Sequence, residues 1–268
     1  MIVNKILSRQ NRALLRELVT TDFKLRYQGS VLGYTWSLLR PLLLFCILYV
    51  VFVKFLRLGS GVPHFPIYLL LGIVLWNFFA EMTSQSLGSI VVRGDLIRKI
   101  RIPRWIVVIS SSVSALINLL LNLVVVAIFM VLNRVDITFS VIWLPFILAE
   151  IYAFALGVSL FLAAAFVKYR DVSHIWEVVL QGLFYITPIL YPLTLITNVT
   201  FQKLLLLNPV AQAIQDARNV TVTKDTLTIA EVFHSAGARL LTVSITIVIL
   251  VLGILYFKKE AKYFAENI

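Results

Sequence analysis

The segment VVRGDLIRKIRIPRW, Val91 to Trp105, gathers five cations, Arg93, Arg98, Lys99, Arg101 and Arg104, against one acid, Asp95. Apolar runs long enough to cross a membrane flank it on both sides. The chemistry open to such a group is electrostatic: it orients a membrane chain, or it forms a surface that another molecule pushes on. Residues for covalent or metal chemistry are sparse. The sequence has no G-x-x-x-x-G-K-[ST] phosphate loop, so ATP hydrolysis by that machinery is not expected, and it has no H-E-x-x-H zinc motif. Its three histidines, His64, His174 and His234, fall on opposite sides of the expected topology and do not make one metal site. The only cysteine, Cys46, lies in an apolar run, which excludes an internal disulfide and a thiolate cluster. Two of the thirteen acids, Glu81 and Glu150, fall inside apolar runs. A carboxyl there is either a functional group in a polar interior or is hydrogen-bonded to a neighbouring helix, and both readings stand. Asn118 and Asn122, four residues apart, suit hydrogen bonds between helices.

These residues need a frame to position them. The chain has 268 residues, is 60% hydrophobic and has a mean hydropathy of +0.94. So little polar surface cannot keep a chain in water, and the excess must face lipid. A net charge of +11 would suggest nucleic acid in a soluble protein, but in a membrane chain the cations first report topology. A spanning helix needs roughly 20 apolar residues. Six segments qualify: Ser37–Leu56, Ile67–Ile90, Trp105–Leu132, Val141–Val167, Ile175–Ile196 and Leu240–Phe257. One side of this frame carries seventeen cations, including the 93–104 loop and both chain ends, and the other carries seven. The richer side is therefore expected to be cytoplasmic, with both termini inside. Before the first span, Leu14, Leu15, Leu18, Val19 and Phe23 recur at helical spacing, with Arg9, Arg12, Arg16 and Lys24 mostly on another face. That pattern predicts an amphipathic helix in the cytoplasmic interface; no cleaved signal peptide is expected at the N-terminus.

The fifth predicted span is irregular. FYITPILYPLTLI holds Pro188 and Pro192, and each removes a helical hydrogen bond. Non-helical backbone survives at membrane depth only where protein or a water cavity covers it. Beyond it, FQKLLLLNPVAQAIQDARNV is half apolar and suits short helices dipping into the outer interface around an Asn208–Pro209 break. Aromatics are frequent in and near the spans, among them Tyr49, Phe52, Trp76, Tyr152 and Tyr185. Packing accounts for most such rings, and a minority would line a path for sugars, whose C–H faces stack on them. No internal repeat and no domain-sized soluble segment is evident.

Four stretches in order resemble one family. They are DFKLRYQGSVLGYTWSLLRPLL, GDLIRKIRIPRWIVVISS, VKYRDVSHIWEVVLQGLFYITPILYPL and LNPVAQAIQDARNV, and together they cover nearly the whole chain. They resemble the ABC type-2 export permeases, in particular those that move O-antigen, capsule, teichoic acid and other cell-surface polysaccharides. The resemblance implies an all-α membrane protein of six transmembrane helices, with an N-terminal amphipathic interfacial helix, cytoplasmic coupling helices, and outer re-entrant gate helices between the fifth and sixth spans. On that reading residues 1–33 are the cytoplasmic N-terminal segment, 34–260 the transmembrane domain and 261–268 a cytoplasmic tail. The chain would be a non-enzymatic half-transporter in the cytoplasmic membrane of a prokaryote. It would form a homodimer over two copies of a separate ATP-binding subunit, which would hold the ATP and Mg, with no cofactor in this chain and no nucleic acid as partner. The cargo would be a polyprenyl-diphosphate-linked glycan or a related anionic polymer. Coupling to the ATPase would fall to Asp95, Arg98, Lys99, Arg101, Pro103, Arg104, Arg170 and Asp171. The entrance would use Asp22, Lys24, Arg26, Tyr27 and Arg40, and the channel Tyr49, Phe52, Trp76, Glu81, Tyr152 and Tyr185. The outer gate would involve Pro188, Pro192, Asn208 and Pro209. On charge alone, docking and topology explain the 93–104 cations equally well, and the resemblance favours docking. A permease for another lipid or drug cargo shares the frame. A membrane enzyme of lipid-linked sugar metabolism would need a cluster of acids or histidines on one membrane face, which the sequence lacks.

Overall fold

The computed structural model describes residues 9–26, 29–30, 32–57, 61–99, 103–136 and 138–264, and these contain helices and connections but no strand. Helix α1 is Arg9–Arg26, and α2 is Trp36–Phe55. The last turns of α2, Tyr49–Phe55, are wound wider than an α-helix, so the Leu56 N–H reaches back to the Val51 carbonyl at 2.9 Å. Next come α3 (Phe65–Val92), the short α4 (Gly94–Lys99) and α5 (Trp105–Leu132). A single tight turn, Phe139–Trp143, leads into α6 (Leu144–Lys168), followed by α7 (Val172–Ile186). The chain then forms α8 (Val199–Leu206), α9 (Pro209–Thr221), α10 (Ile229–Val232) and α11 (Arg239–Glu260).

Among the described residues, five helices are long and apolar enough to cross a membrane: Trp36–Phe55, Phe65–Val92, Trp105–Leu132, Phe139–Lys168 and Ala236–Tyr263. The predicted fifth span, Ile175–Ile196, is not one helix. Its helical part is α7, 15 residues, which stops at Ile186. The cause is local. Thr187 precedes Pro188, and the proline ring pushes the preceding residue out of the helical region, to ψ 134 here.

Helix α3 buries every residue from Ile67 to Trp76, and so all its faces there, and sits at the centre of the bundle, with 78% of its most apolar window buried, against 11% for α2 at the periphery. It packs against α5 and α6, while α6 and α11 form the most extensive pair. Glycine permits that last contact. A Cβ on Gly157 would stand 2.7 Å from the Leu250 backbone, and one on Gly253 would stand 2.2 Å from the Gly157 carbonyl oxygen. Two backbones approach here as only small residues allow. A second core at the opposite end gathers Leu18 of α1, Ile97 of α4, Ile106 and Val107 of α5, and Phe257 and Phe264 of the C-terminal region. Leu14 and Leu15 pack on its edge, so the apolar stripe read from α1 is the face it lays on α5.

Candidate functional site

The basic segment between α3 and α5 is tied at both ends. Arg93, where α3 ends, pairs with Asp22 of α1 and donates to Ser110 Oγ of α5 at 3.1 Å. Arg104, at the start of α5, donates to the Ala261 carbonyl in the C-terminal region. Between these ties, α4 opens on exposed Asp95 and turns Ile97 into the inner core. Pro103 lies just before α5, half-buried. Arg101 and Tyr27 lie outside the described residues, as do the side chains of Arg26, Arg98 and Lys99. Lys24 is exposed on α1. Arg170 and Asp171 are exposed in the turn between α6 and α7, with the Arg170 guanidinium 5.2 Å from the Phe166 ring centre.

Within the bundle a cavity of about 950 Å³ opens between α2, α3 and α5. Arg40, Asn77, Glu81, Gln85, Asn118 and Asn122 supply its polar lining, and Leu43, Leu44, Ile47, Val74, Phe78 and Leu119 its apolar lining. Glu81 Oε1 accepts from Asn118 Nδ2 at 2.6 Å and from Gln85 Nε2 at 2.7 Å. Asn122 Nδ2 donates to the Asn118 carbonyl at 2.8 Å and to the Ser37 carbonyl at 3.3 Å, which ties α5 to the start of α2. The two asparagines thus bond within α5 and across to α2 and α3. Glu81 is both hydrogen-bonded to a neighbouring helix and part of a polar interior, so its two readings do not exclude each other.

The aromatic candidates do not converge on that cavity. Trp76 is 5% exposed, packed beside Phe79 and Phe184 with ring centres 5.7 and 5.8 Å away. Tyr49 leans on Phe45, and Phe52 packs against the main core. The Tyr152 hydroxyl is 2.9 Å from Ser112 Oγ on α5. Tyr185 alone is broadly exposed, at the end of α7, with its ring edge-on to Phe184.

Beyond α7 the chain abandons the helix, and one residue satisfies its freed carbonyls. Arg218 of α9 is fully buried and donates to the Pro188 carbonyl at 2.6 Å, the Ile189 carbonyl at 2.7 Å and the Tyr68 carbonyl of α3 at 2.9 Å. Its guanidinium lies 3.6 Å from the Tyr68 ring centre, a stacked cation–π contact. Gly72 makes the space, since a Cβ there would stand 2.3 Å from Arg218 Nη2. The Tyr191 hydroxyl donates to the Ile186 carbonyl at 2.9 Å, and Pro192 leads into one tight turn, Leu193–Leu195. Asn208 and Pro209 mark a helix start: Asn208 Oδ1 accepts from the Val210 N–H at 3.0 Å, and Pro209 takes the first position, where no N–H is needed. Buried Asp216 on α9 lies 3.2 Å from an Arg239 nitrogen at the start of α11, off the hydrogen-bond line, and also accepts from Gln212.

Sequence reasoning places Arg218 among the cations of the outer side and misses its work. The signal is present: Gln212, Gln215, Asp216 and Arg218 are four polar residues within one turn or two of a segment otherwise apolar enough to pack. The glycine contact and the role of Trp36, which lines the cavity, are also missed.

Residues 13–221 match the family model described as ABC-2 type transporter. The chain is 32% identical over 201 residues to the O-antigen export system permease protein RfbA of Myxococcus xanthus, covering 75% of this chain and 76% of that one. It is 29% identical over 208 residues to an O-antigen export system permease protein RfbA of Klebsiella pneumoniae, covering 77% and 79%. An all-helical fold, helices long enough to span a membrane, a tethered basic segment and a family match across most of its length together place this chain in the ABC-2 type transporter family.

Proposed function

We propose that this chain is the membrane-embedded permease subunit of an ATP-driven exporter for a cell-surface polysaccharide carried on a polyprenyl diphosphate. The observation that carries the reading is its likeness, over three quarters of its length, to permeases named for O-antigen export. The tethered segment supports a coupling role. Arg93 and Arg104 fix its two ends on different elements, so a push from an ATPase below reaches α1 and α5 together. Two copies of the chain would enclose the path, over two copies of a cytoplasmic ATP-binding subunit that holds ATP and Mg. The excess of cations on the α4 side supports an inner-membrane orientation with both termini cytoplasmic.

Helix α7 and the turns of residues 187–196 together make the fifth of six crossings in this account, and α8 and α9 fold back into the outer interface as the gate. Arg218 supports that reading, because it gives buried partners to backbone that lipid would leave unpaired. Lys24, Arg26 and Arg40 are the cations offered to the lipid diphosphate at the entrance. The test is a mild-detergent pull-down of this chain from native membranes. Stoichiometric recovery of a phosphate-loop subunit, with ATPase activity in the complex, is expected. A folded preparation that brings down no such subunit contradicts the proposal.

A further inference from the structure

Helix α9 is buried along almost its whole length, although its middle turns are polar. Gln212 and Asp216, four residues apart, share one face, and Gln215 and Arg218 share a second. The second face is already placed. Gln215 Oε1 accepts from the Tyr68 hydroxyl at 3.1 Å and from Arg218 at 3.2 Å, and Arg218 holds the carbonyls of Pro188 and Ile189. The first face looks onto the place where α9, α6 and α11 meet. There Asp216 comes together with Glu150 of α6 and Arg239 of α11.

Two carboxyls here answer to one cation. Arg239 Nη2 lies 3.2 Å from Asp216 Oδ1, and Asp216 Oδ2 accepts from Gln212 Nε2. Glu150 has Asp216 and Arg239 as its charged neighbours, with Thr242 and Gln212 beside its carboxyl. Glu231 of α10 adds a lesser negative influence on Asp216, but it is exposed and its Oε2 accepts from the Thr228 N–H at 2.8 Å. The other elements against α9 supply no second cation to this face. Lys203 of α8 sits 5.3 Å from the Phe233 ring centre, Tyr68 and Arg218 are held on the second face, and the Phe139–Trp143 turn has no ionisable side chain. With both carboxyls ionised the group would carry one surplus negative charge where burial penalises it. Acceptors are in surplus too. Glu150 Oε1, Asp216 Oδ1 and Gln212 Oε1 are covered and accept no hydrogen bond among the described residues. Gln212 is 1% exposed, so its unpaired oxygen is an independent sign that the group lacks a donor. One proton answers both surpluses: it cancels the extra charge and turns one carboxyl from acceptor into donor.

We propose that Glu150 and Asp216 hold one proton between them, with Arg239 as their shared cation, and that this proton fastens α9 to the α6–α11 pair. The Arg239 side chain is 44% exposed, so protons reach the site from the water at the start of α11. Burial holds the Asp216 carboxyl above its ordinary range, while Arg239 draws it partly back and Glu231 adds to the rise. The docked helix therefore binds the proton more tightly than an undocked helix in water. Docking is firmest below the ordinary carboxylate range, weakens as pH rises through the raised value, and then levels off. Because α9 also carries Arg218, looser docking reaches the broken end of α7. The proton itself does not depend on the exporter reading. Only the side rests on it: in that topology the start of α11 faces the outer solution, and outer pH is what the site reads.

The test uses the chain in lipid nanodiscs, with whatever subunits come with it from the membrane. Hydrogen exchange is followed over residues 209–221 and corrected for the pH dependence of the exchange chemistry. The open population of α9 is expected to rise about tenfold from about pH 5 to about pH 8. Glu150→Gln keeps the shape and removes one acid, and should flatten that rise to less than about twofold; Asp216→Asn should do the same. A second readout needs no change in docking. At neutral pH the infrared spectrum should contain a protonated-carboxyl band that is lost in either variant. Replacing sodium with choline at fixed pH should change neither readout. The proposal is overturned by a spectrum without such a band, by a pH-dependent rise that survives in both variants, or by protection that follows sodium instead of pH. If the ATPase is recovered and the band is absent, this proposal alone fails. If no ATPase is recovered, the exporter reading fails, and the band still decides the proton.

Discussion

Replacing Arg218 with leucine should unfasten the broken end of α7. The side chain makes three bonds to backbone carbonyls, at 2.6, 2.7 and 2.9 Å, and each comes from a charged donor at a fully buried site. Hydrogen bonds to charged groups contribute about 1.5–3 kcal/mol each, so the gross loss is about 5–9 kcal/mol. Burying a guanidinium without a carboxylate costs several kcal/mol, and leucine relieves that cost. The expected net destabilisation is about 2–4 kcal/mol, or roughly 4–16 °C at about 2–4 °C per kcal/mol for a chain of this size. Arg218→Lys should recover little of it, because an ammonium cannot fork to three carbonyls or stack flat on Tyr68. The assay is size-exclusion thermostability in detergent, together with labelling of a reporter thiol introduced by Leu190→Cys, at a position buried here. Both Arg218 variants should melt earlier and expose the introduced thiol. An unchanged melting temperature and a reporter thiol that stays protected in Arg218→Leu would refute the reasoning.

Three further outcomes follow from the same geometry. Gly253→Ala places a methyl 2.2 Å from the Gly157 carbonyl oxygen, so α6 and α11 must separate; a loss of about 2–3 kcal/mol is expected by thermostability, against little change for Gly88→Ala, where the space is open. Asp22→Arg or Arg93→Asp should each lower ATP-driven export by about 5–30-fold, the equivalent of 1–2 kcal/mol, while ATPase activity persists; the double exchange should restore export in a cell-surface glycan assay. Arg239→Gln leaves buried Asp216 without its cation and should cost about 1–2 kcal/mol, discounted because Arg239 is 44% exposed; adding Asp216→Asn should recover most of it, and a double-mutant cycle measures the coupling.

Hydropathy makes the spanning helices legible, because length and apolar content alone decide which segments satisfy their own backbone in lipid. Trp105–Leu132 ends where the sequence reading places it, at Asn133 before Arg134. Asn208–Pro209 is legible for a different reason: a side-chain acceptor followed by a residue with no N–H is the chemistry of a helix start. The fifth span is over-extended in the sequence reading because the apolar run continues past the residue where Pro188 ends the helix. What pattern cannot show is tertiary pairing. Arg218 meets Tyr68 across 150 positions, and Gly157 meets Gly253 only because two helices cross there. The aromatic channel candidates illustrate the same limit, since Trp76 and Tyr185 both sit in apolar, aromatic-rich sequence yet one is 5% and the other 69% exposed. Glu81 and Arg40 are legible as unusual residues at their depth, but the cavity they share emerges only once three helices are assembled.

The central claim is that this chain moves a lipid-linked glycan using ATP hydrolysed by another subunit. The most direct measurement reconstitutes the chain, with the ATPase recovered alongside it, into vesicles containing fluorescent glycan on a polyprenyl diphosphate, and follows the glycan to the side away from the ATPase. The account predicts movement that requires ATP and both subunits, and that stops when the phosphate-loop lysine of the ATPase is replaced. Glycan movement without ATP, or steady ATP hydrolysis by a well-folded complex with no glycan crossing, would contradict it.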